Sequence, residues 1–359
     1  MGLDPIVLKQ VEEIIRNAHA QGRDMLFENE VYSVLDHLGM RVPAHFIVRK
    51  SGEISGRLLS RLGSGKVVMK VVSREVAHKQ RLGGVRIVVK DPEFVRYTFE
   101  RMTAAFAEQG IAVEGVLFVE FVEYSQDLGN EVLLGFRESE AFGPVISFSK
   151  GGADAEHFAR YFSPPNLIMA PIDRQWAQAL LESSSIQKKY VEQGNADYVN
   201  HIVNAGVRLS DLAVVISTYF QAGTDFVITE FEINPCVFTP DGSFIALDGF
   251  ARFHARTGAV PDLSVAPEAA IRPFFEPSGI AVVGVSTSDG GKMGNIIAAN
   301  LLRMGRTDVH CVNPKGGRTT LAGRQVPIYP GIGDIDGPVD LAIITVPAGA
   351  TLPVVEACA

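Results

Sequence analysis

Residues 67–85 read VVMKVVSREVAHKQRLGGV: an apolar, β-branched run with one lysine inside it, then a polar loop, then paired glycines. A short run of that composition is a strand. Lys70 lies within the strand, and the loop beyond carries Ser73, His78 and Lys79 ahead of Gly83 and Gly84. A nucleoside triphosphate needs a cation on its phosphates and glycine backbone that can approach closely and donate N–H groups; this stretch offers both. A surface lysine with a snorkelling stem, followed by an ordinary Gly-Gly turn, would give the same pattern in isolation.

Outward from this stretch the chain alternates short strands with longer helices. Upstream, Leu8, Val11, Ile14, Ile15 and Ala18 recur at helical spacing, and Phe27, Val31, Val34, Leu35 and Leu38 repeat the pattern before Gly39. Strands are expected at AHFIV, KVVMKVV, VRIVV, VLFVEFV, EVLLGF and GPVISF, with a helix at Phe94 to Gln109. A helical section is expected from about Asp173 to Ala222, broken near Gly194 and Gly206, with the single tryptophan, Trp176, as its packing anchor. FVITEFEI and FIALDGF, joined by the turn TPDGS, complete an α+β unit over residues 1–260.

The Pro-, Ala- and Gly-rich stretch from Thr257 to Pro277 predicts a linker at residues 261–272. After it GIAVVGVS, GGKMGNIIAANLLRMG, VHCVNP and DLAIITVP follow in the order β-α-β-β. Near-continuous apolar strands of this kind belong to a parallel, Rossmann-like sheet over residues 273–359. The last residues, VVEACA, read as the start of another helix, so an incomplete domain from a longer polypeptide is expected.

Composition narrows the class. A hydrophobic content of 47% with 21% charged residues is that of a globular protein, and a net charge of −8 gives no footprint for nucleic acid. Three cysteines, scattered and without CxxC spacing, argue against a disulfide framework or a zinc site and for a reducing compartment. The opening MGLDPI lacks a signal sequence, and no apolar run reaches membrane-spanning length, so a cytoplasmic protein with no membrane partner is expected.

Three further stretches carry chemistry. GVLFVEFVEY ends a strand at Glu120, Phe121 and Val122 with apolar flanks on which an adenine could stack; a plain buried strand with a charged exit fits as well. In ITEFEINP, alternation puts Glu230 and Glu232 on one face with Asn234 just beyond, and the hairpin brings Asp248 alongside. Carboxylates with an amide oxygen suit Mg²⁺; an acidic solvated hairpin is the competing explanation. GVSTSDGGKMG, from Gly284 through Ser286 and Lys292 to Gly294, surrounds a helix N-terminus that favours phosphate, although any parallel sheet places glycine there to turn the chain. The next strand ends in VNPKGG, with Asn313 and Lys315, rather than in the acid that holds an NAD ribose, which favours a different nucleotide.

Taken in order, these segments resemble the NDP-forming (ADP-forming) acyl-CoA synthetases, the acetate–CoA ligase family related to succinyl-CoA synthetase. VVMKVVS, HKQRLGGV, GNEVLLGF, FGPVISF, EFEINP, ALDG, FFEPSGIAVVGVS and CVNPKGG carry the resemblance from about Glu28 to the last residue. It implies an α+β ATP-grasp domain followed by an α/β, Rossmann-like CoA-binding domain, with ATP/ADP, Mg²⁺ and coenzyme A as cofactors and a small carboxylate as substrate. Lys70, Ser73, His78, Gly83 and Gly84 would then meet the phosphates, Glu120 to Val122 the adenine, and Glu131 the ribose. Asn234 and Asp248 would ligate Mg²⁺, and Glu232 would stand beside a visiting phosphohistidine, making Glu232 and Lys70 the catalytic pair. CoA would lie against Gly284, Ser286, Lys292, Gly294, Asn313, Lys315, Val346 and Pro347. The phosphohistidine segment is absent from these residues, which implies CoA-ligase domains in cis or on a separate subunit; a homo-oligomer is left open. Ser139, where the family usually has aspartate, and Ser149-Lys150 depart from the pattern. Another ATP-grasp carboxylate ligase without phosphohistidine, or a module sensing ATP and acyl-CoA, are the alternatives.

Overall fold

Helix α1 (Pro5–Ala20) starts where the Asp4 carboxylate accepts from the Ile6 N–H, and its stripe of Val11, Ile15 and Ala18 is buried. The computed structural model describes residues 2–75, 82–127, 129–161, 165–182, 184–220, 224–257 and 268–359, without the side chains of Glu156 and Phe158. After the short strand β1 (Met25–Leu26), helix α2 (Glu28–His37) is fixed by Glu30, whose carboxylate accepts from the Phe27 N–H at 2.7 Å. The chain divides into two compact units, Met1–Asp262 and Leu263–Ala359.

The first unit contains two sheets. The smaller is antiparallel, in the order β2-β5-β3-β4: β2 (His45–Val48), then the short helix α3 (Gly56–Leu59), β3 (Lys66–Val72), β4 (Val85–Val89), helix α4 (Pro92–Glu108) and β5 (Gly115–Glu120). Period-two alternation sends Val67, Met69 and Val71 of β3 into a core with Val95, Phe99, Met102 and Phe106 of α4. Lys70 therefore faces the other way, together with Val68 and Val72, which pack against the core of the larger sheet.

That sheet is built from β6 (Glu131–Ser139), β7 (Gly143–Lys150), β8 (Asn166–Met169), β9 (Phe226–Phe238), β10 (Phe244–Ala246) and β11 (Gly249–Ala255), in the order β1-β11-β9-β6-β7-β8 with β10 also on β9. Helices α5 (Ala155–Tyr161), α6 (Arg174–Glu182), α7 (Ser185–Glu192) and α8 (Ala196–Val215) fall between its strands. Phe136 of β6 and Phe231 of β9 stack at 5.6 Å in the core.

Two sequence expectations are corrected here. Gly206 does not interrupt the helical section: it is buried within α8, where the missing side chain lets α6 come close, an added Cβ lying 3.9 Å from that of Ala177. Trp176 is not a packing anchor; it is 58% exposed, because α6 turns Ala177, Leu180 and Leu181 inward instead.

The second unit begins with helix α9 (Glu268–Phe275), which starts inside the stretch expected as linker. Then come β12 (Ile280–Val283), α10 (Met293–Arg303), β13 (Val309–Val312), β14 (Gly317–Leu321), β15 (Arg324–Tyr329), β16 (Leu341–Ile344) and α11 (Thr351–Cys358). The sheet order is β14-β15-β13-β12-β16; β15, β13, β12 and β16 run parallel and β14 antiparallel. The β14–β15 hairpin was not expected from the sequence. It turns at Ala322 and Gly323, whose φ of 48° and 76° match the left-handed geometry that two-residue hairpins require.

Candidate functional site

Lys70 is 6% exposed, on the face of β3 that looks toward the larger sheet. Its ammonium donates to Glu28 Oε1 at 2.5 Å and to the Leu247 carbonyl at 2.9 Å, and stands 3.6 Å from Asp248 Oδ2. The Tyr32 hydroxyl is 2.7 Å from the same Glu28 oxygen and 2.6 Å from the same carbonyl. Burial opposes the charge on Lys70, but the Asp248 and Glu28 carboxylates outweigh it and hold the ammonium above its ordinary pKa. Burial, reinforced by the Glu28 charge, pushes the Tyr32 hydroxyl well above the usual phenol range.

The Leu247 carbonyl is available because of a proline. In the ladder Leu247 N–H donates to the Pro235 carbonyl at 2.9 Å, and Pro235, having no N–H, cannot return the bond. Asp248 follows at once, its Oδ1 accepting from the Gly249 N–H at 2.8 Å and its side chain 48% exposed.

Across the same hairpin, the Asn234 N–H donates to the Asp248 carbonyl at 3.1 Å. Asn234 Oδ1 accepts from the Gly152 N–H at 2.7 Å, and its Nδ2 lies 3.4 Å from Glu232 Oε1. Glu230, on the same face, is paired with Arg137. The Asp248 carboxylate and the Asn234 amide oxygen, which keeps a second lone pair beside its bond from Gly152, are donors of the kind a hard cation takes. Among the described residues no group of three or more His, Cys, Asp or Glu is placed to hold a metal.

The remaining expected nucleotide residues lie at the small sheet, except Glu131, which begins β6 of the larger one. Ser73 is buried just past β3, its hydroxyl accepting from the Glu75 N–H at 3.2 Å. Gly83 has φ +73°, and the Gly84 carbonyl accepts from the Val71 N–H at 2.8 Å, so the glycine pair closes the return from β3 to β4. His78 lies outside the described residues. Glu120 ends β5 with its carboxylate over Gly63; Phe121 and Val122 follow outside any strand, with the Lys66 ammonium 5.0 Å from the Phe121 ring. Glu131 Oε1 accepts from the Tyr124 hydroxyl at 2.8 Å. Sequence reasoning missed Glu28 and Tyr32, whose only signal was their spacing of four at a helix start. A separate cleft of about 410 Å³, between α8 and the turn at Asp241–Ser243, shares none of these residues.

In the second unit, the carboxyl ends of β12, β13 and β16 lie together because the strands are parallel. β12 has β13 on one side and β16 on the other, the strand reversal at which such sheets open a crevice. Gly284 (φ +104°) and Gly294 both pack against Thr345, where a Cβ would collide with its Oγ1. The loop between is held by Asn295, 1% exposed, whose Oδ1 accepts from the Ser286 N–H at 2.7 Å while its Nδ2 donates to the Ser286 carbonyl at 2.8 Å. Lys292 precedes α10 and is exposed. Asn313 Nδ2 donates to the Val285 carbonyl and its Oδ1 accepts from the Lys315 N–H. Val346 and Pro347 follow β16 after Thr345. No helix among the described residues is long and apolar enough to cross a membrane.

Residues 17–252 match the ATP-grasp domain family and residues 278–359 the CoA binding domain family. The chain is 29% identical over 339 residues to ADP-forming acetate–CoA ligase II of Archaeoglobus fulgidus, covering 93% of this chain and 45% of that protein. It therefore spans less than half the length of that relative. With the beta subunit of ADP-forming acetate–CoA ligase I of Pyrococcus furiosus it shares 27% identity over 243 residues, 67% of this chain and 96% of the subunit. The solved acetyl-coenzyme A synthetase 1 of Candidatus Korarchaeum cryptofilum, in complex with coenzyme A and Ca-AMPCP, superposes with a TM-score of 0.56 at 21% identity. That superposition covers 68% of this chain and 99% of the other and shows a shared fold.

Proposed function

Because the chain belongs to the ATP-grasp domain family and carries a CoA-binding domain behind it, we propose that it is the ATP- and CoA-binding portion of an ADP-forming acyl-CoA synthetase. The reaction is carboxylate plus CoA plus ATP giving acyl-CoA, ADP and phosphate, through an acyl phosphate and a phosphohistidine. The histidine sits outside this chain, on CoA-ligase domains in cis or on a separate subunit; the Pyrococcus relative is itself a subunit. The protein works among soluble metabolites in the cytoplasm.

The observation that carries this reading is the convergence of Lys70 and Asp248 from different sheets of one unit. Phosphoryl transfer asks the protein for positioning and charge neutralisation more than for covalent chemistry. Lys70 supplies a fixed positive charge to the phosphates, with Ser73, Gly83 and Gly84 beside them. Phe121 and Val122 offer backbone and an apolar face to the adenine, and Glu131 an acceptor to the ribose. Asn234 and Asp248 would hold magnesium, which would supply neutralisation of the charge that develops on the phosphates. Glu232, next to Asn234, orients the incoming histidine. In the second unit the N-terminus of α10 and the loop from Gly284 to Gly294 take the CoA phosphates, with Asn313, Lys315, Val346 and Pro347 lining the crevice.

Calorimetry of this chain with Mg-ATP and with CoA, and an assay of the complete protein for ADP and hydroxamate-trapped acyl groups, test the reading. Carboxylate-dependent ADP release is expected. Binding without turnover in the complete protein would make this a sensing module instead.

A further inference from the structure

Lys70 brings three N–H donors to the cleft. Two are engaged, by Glu28 Oε1 and the Leu247 carbonyl, and the Tyr32 hydroxyl lies within hydrogen-bond distance of both acceptors. Four polar groups, from α2, β3 and the segment between β10 and β11, thus close into one ring. The ring is dry: the Lys70 and Glu28 side chains are 8% and 1% exposed, and Tyr32 is fully buried. Asp248 stands on the open side, ion-paired with the ammonium at 3.6 Å.

A buried ion pair adds little net stability against an apolar replacement, so stability is a poor reason for this ring. Direction is a better one. A lysine carries a compact charge on a flexible stem of about four rotatable bonds, so the charge has no fixed position unless its head is held. Here two of its donors are pinned to Glu28 and the Leu247 carbonyl, the one Tyr32 hydroxyl proton bracing either acceptor in turn, and the third is left on the side of Asp248 and the cleft.

We propose that Glu28 and Tyr32 are positioning residues of the nucleotide site, acting through Lys70: they fix the ammonium so that its remaining N–H meets the phosphate oxygens arriving on the Asp248 side. Pro235 contributes by leaving the Leu247 carbonyl out of the ladder. The proposal rests on the assignment of Lys70 to the nucleotide phosphates.

The test is the affinity of the 359-residue chain for Mg-ADP, by calorimetry, in Tyr32→Phe, Glu28→Gln, Lys70→Met and the two double variants with Lys70→Met. Tyr32→Phe removes one hydroxyl and no charge. Expected are losses of about threefold for Tyr32→Phe, about tenfold for Glu28→Gln and about thirtyfold for Lys70→Met, with each double variant within about twofold of Lys70→Met alone. CoA affinity stays unchanged throughout. Glu28 and Tyr32 variants that bind Mg-ADP as well as wild type or better, or double variants in which the losses add, overturn the positioning role while leaving Lys70 in place. Wild-type affinity in Lys70→Met overturns the Lys70 assignment itself. Should Glu28→Gln fail to fold, Tyr32→Phe and its double variant decide the matter alone.

Discussion

Lys70 Nζ and Asp248 Oδ2 stand 3.6 Å apart although one belongs to the small sheet and the other to a hairpin of the large one. The Leu247 carbonyl, which Lys70 does hydrogen-bond, is the hinge pin between them. Any change at this junction is felt by both sheets.

Lys70→Met strands Glu28 as a buried carboxylate without its cation. Removing one partner of such a pair lowers the unfolding free energy by about 3 kcal/mol. Adding Glu28→Gln recovers part of the loss, because the orphaned charge is then gone. Urea denaturation of the three proteins at neutral pH measures both effects.

Tyr124 gives a pH dependence with a defined sign. Burial, followed by its hydrogen bond to Glu131, raises its pKa from the ordinary value of 10 to about 12. The folded state then keeps a proton that the unfolded state has lost, so this contribution to stability is complete below pH 10 and disappears as pH rises to about 12. Ultraviolet titration should show a phenol ionising near pH 12 in wild type that is missing in Tyr124→Phe, distinct from buried Tyr32. A Tyr124 transition near pH 10 would count against the hydrogen bond.

Asn295 holds both the N–H and the carbonyl of buried Ser286. Asn295→Ala leaves two buried polar groups unsatisfied and lowers the stability of the second unit by about 2–3 kcal/mol. CoA affinity falls with it, while Mg-ADP affinity is unchanged. Thermal unfolding and calorimetry on the same sample separate the two.

Arg256 donates to the Ser217, Thr218 and Thr224 carbonyls and to the Thr224 hydroxyl, at 2.9, 3.2, 2.8 and 2.7 Å. Lysine cannot reproduce that planar fork. Arg256→Ala and Arg256→Lys should therefore lower the denaturation midpoint almost equally, each by about 2 kcal/mol in free energy.

Local patterns announced themselves well. KVVMKVV and VRIVV are β3 and β4 residue for residue, and the alternation that puts Glu230, Glu232 and Asn234 on one face of β9 holds. What failed was what tertiary contact decides. Gly206 carries a helix-breaking propensity that close packing against α6 overrides, and Trp176 could not be told from an anchor until its helix face was known. FIALDGF reads as one strand, yet β10 ends at Ala246 and β11 begins at Gly249, and the two residues between, Leu247 and Asp248, are the ones that meet Lys70. Glu28 and Tyr32 look like an ordinary first turn of a helix; their purpose lies in Lys70 and Leu247, which no window of neighbouring sequence contains.

Register is continuous across that gap: Ala246 faces Cys236 and Gly249 faces Ile233. Insertions in the Thr239–Ser243 turn would only enlarge a surface loop, at small entropic cost. One residue added between Ala246 and Gly249 would swing Asp248 to the opposite face of the ladder. Length is thus negotiable at the tip of this hairpin and fixed a few residues further on, so drift among related chains should accumulate at the first place and stop at the second.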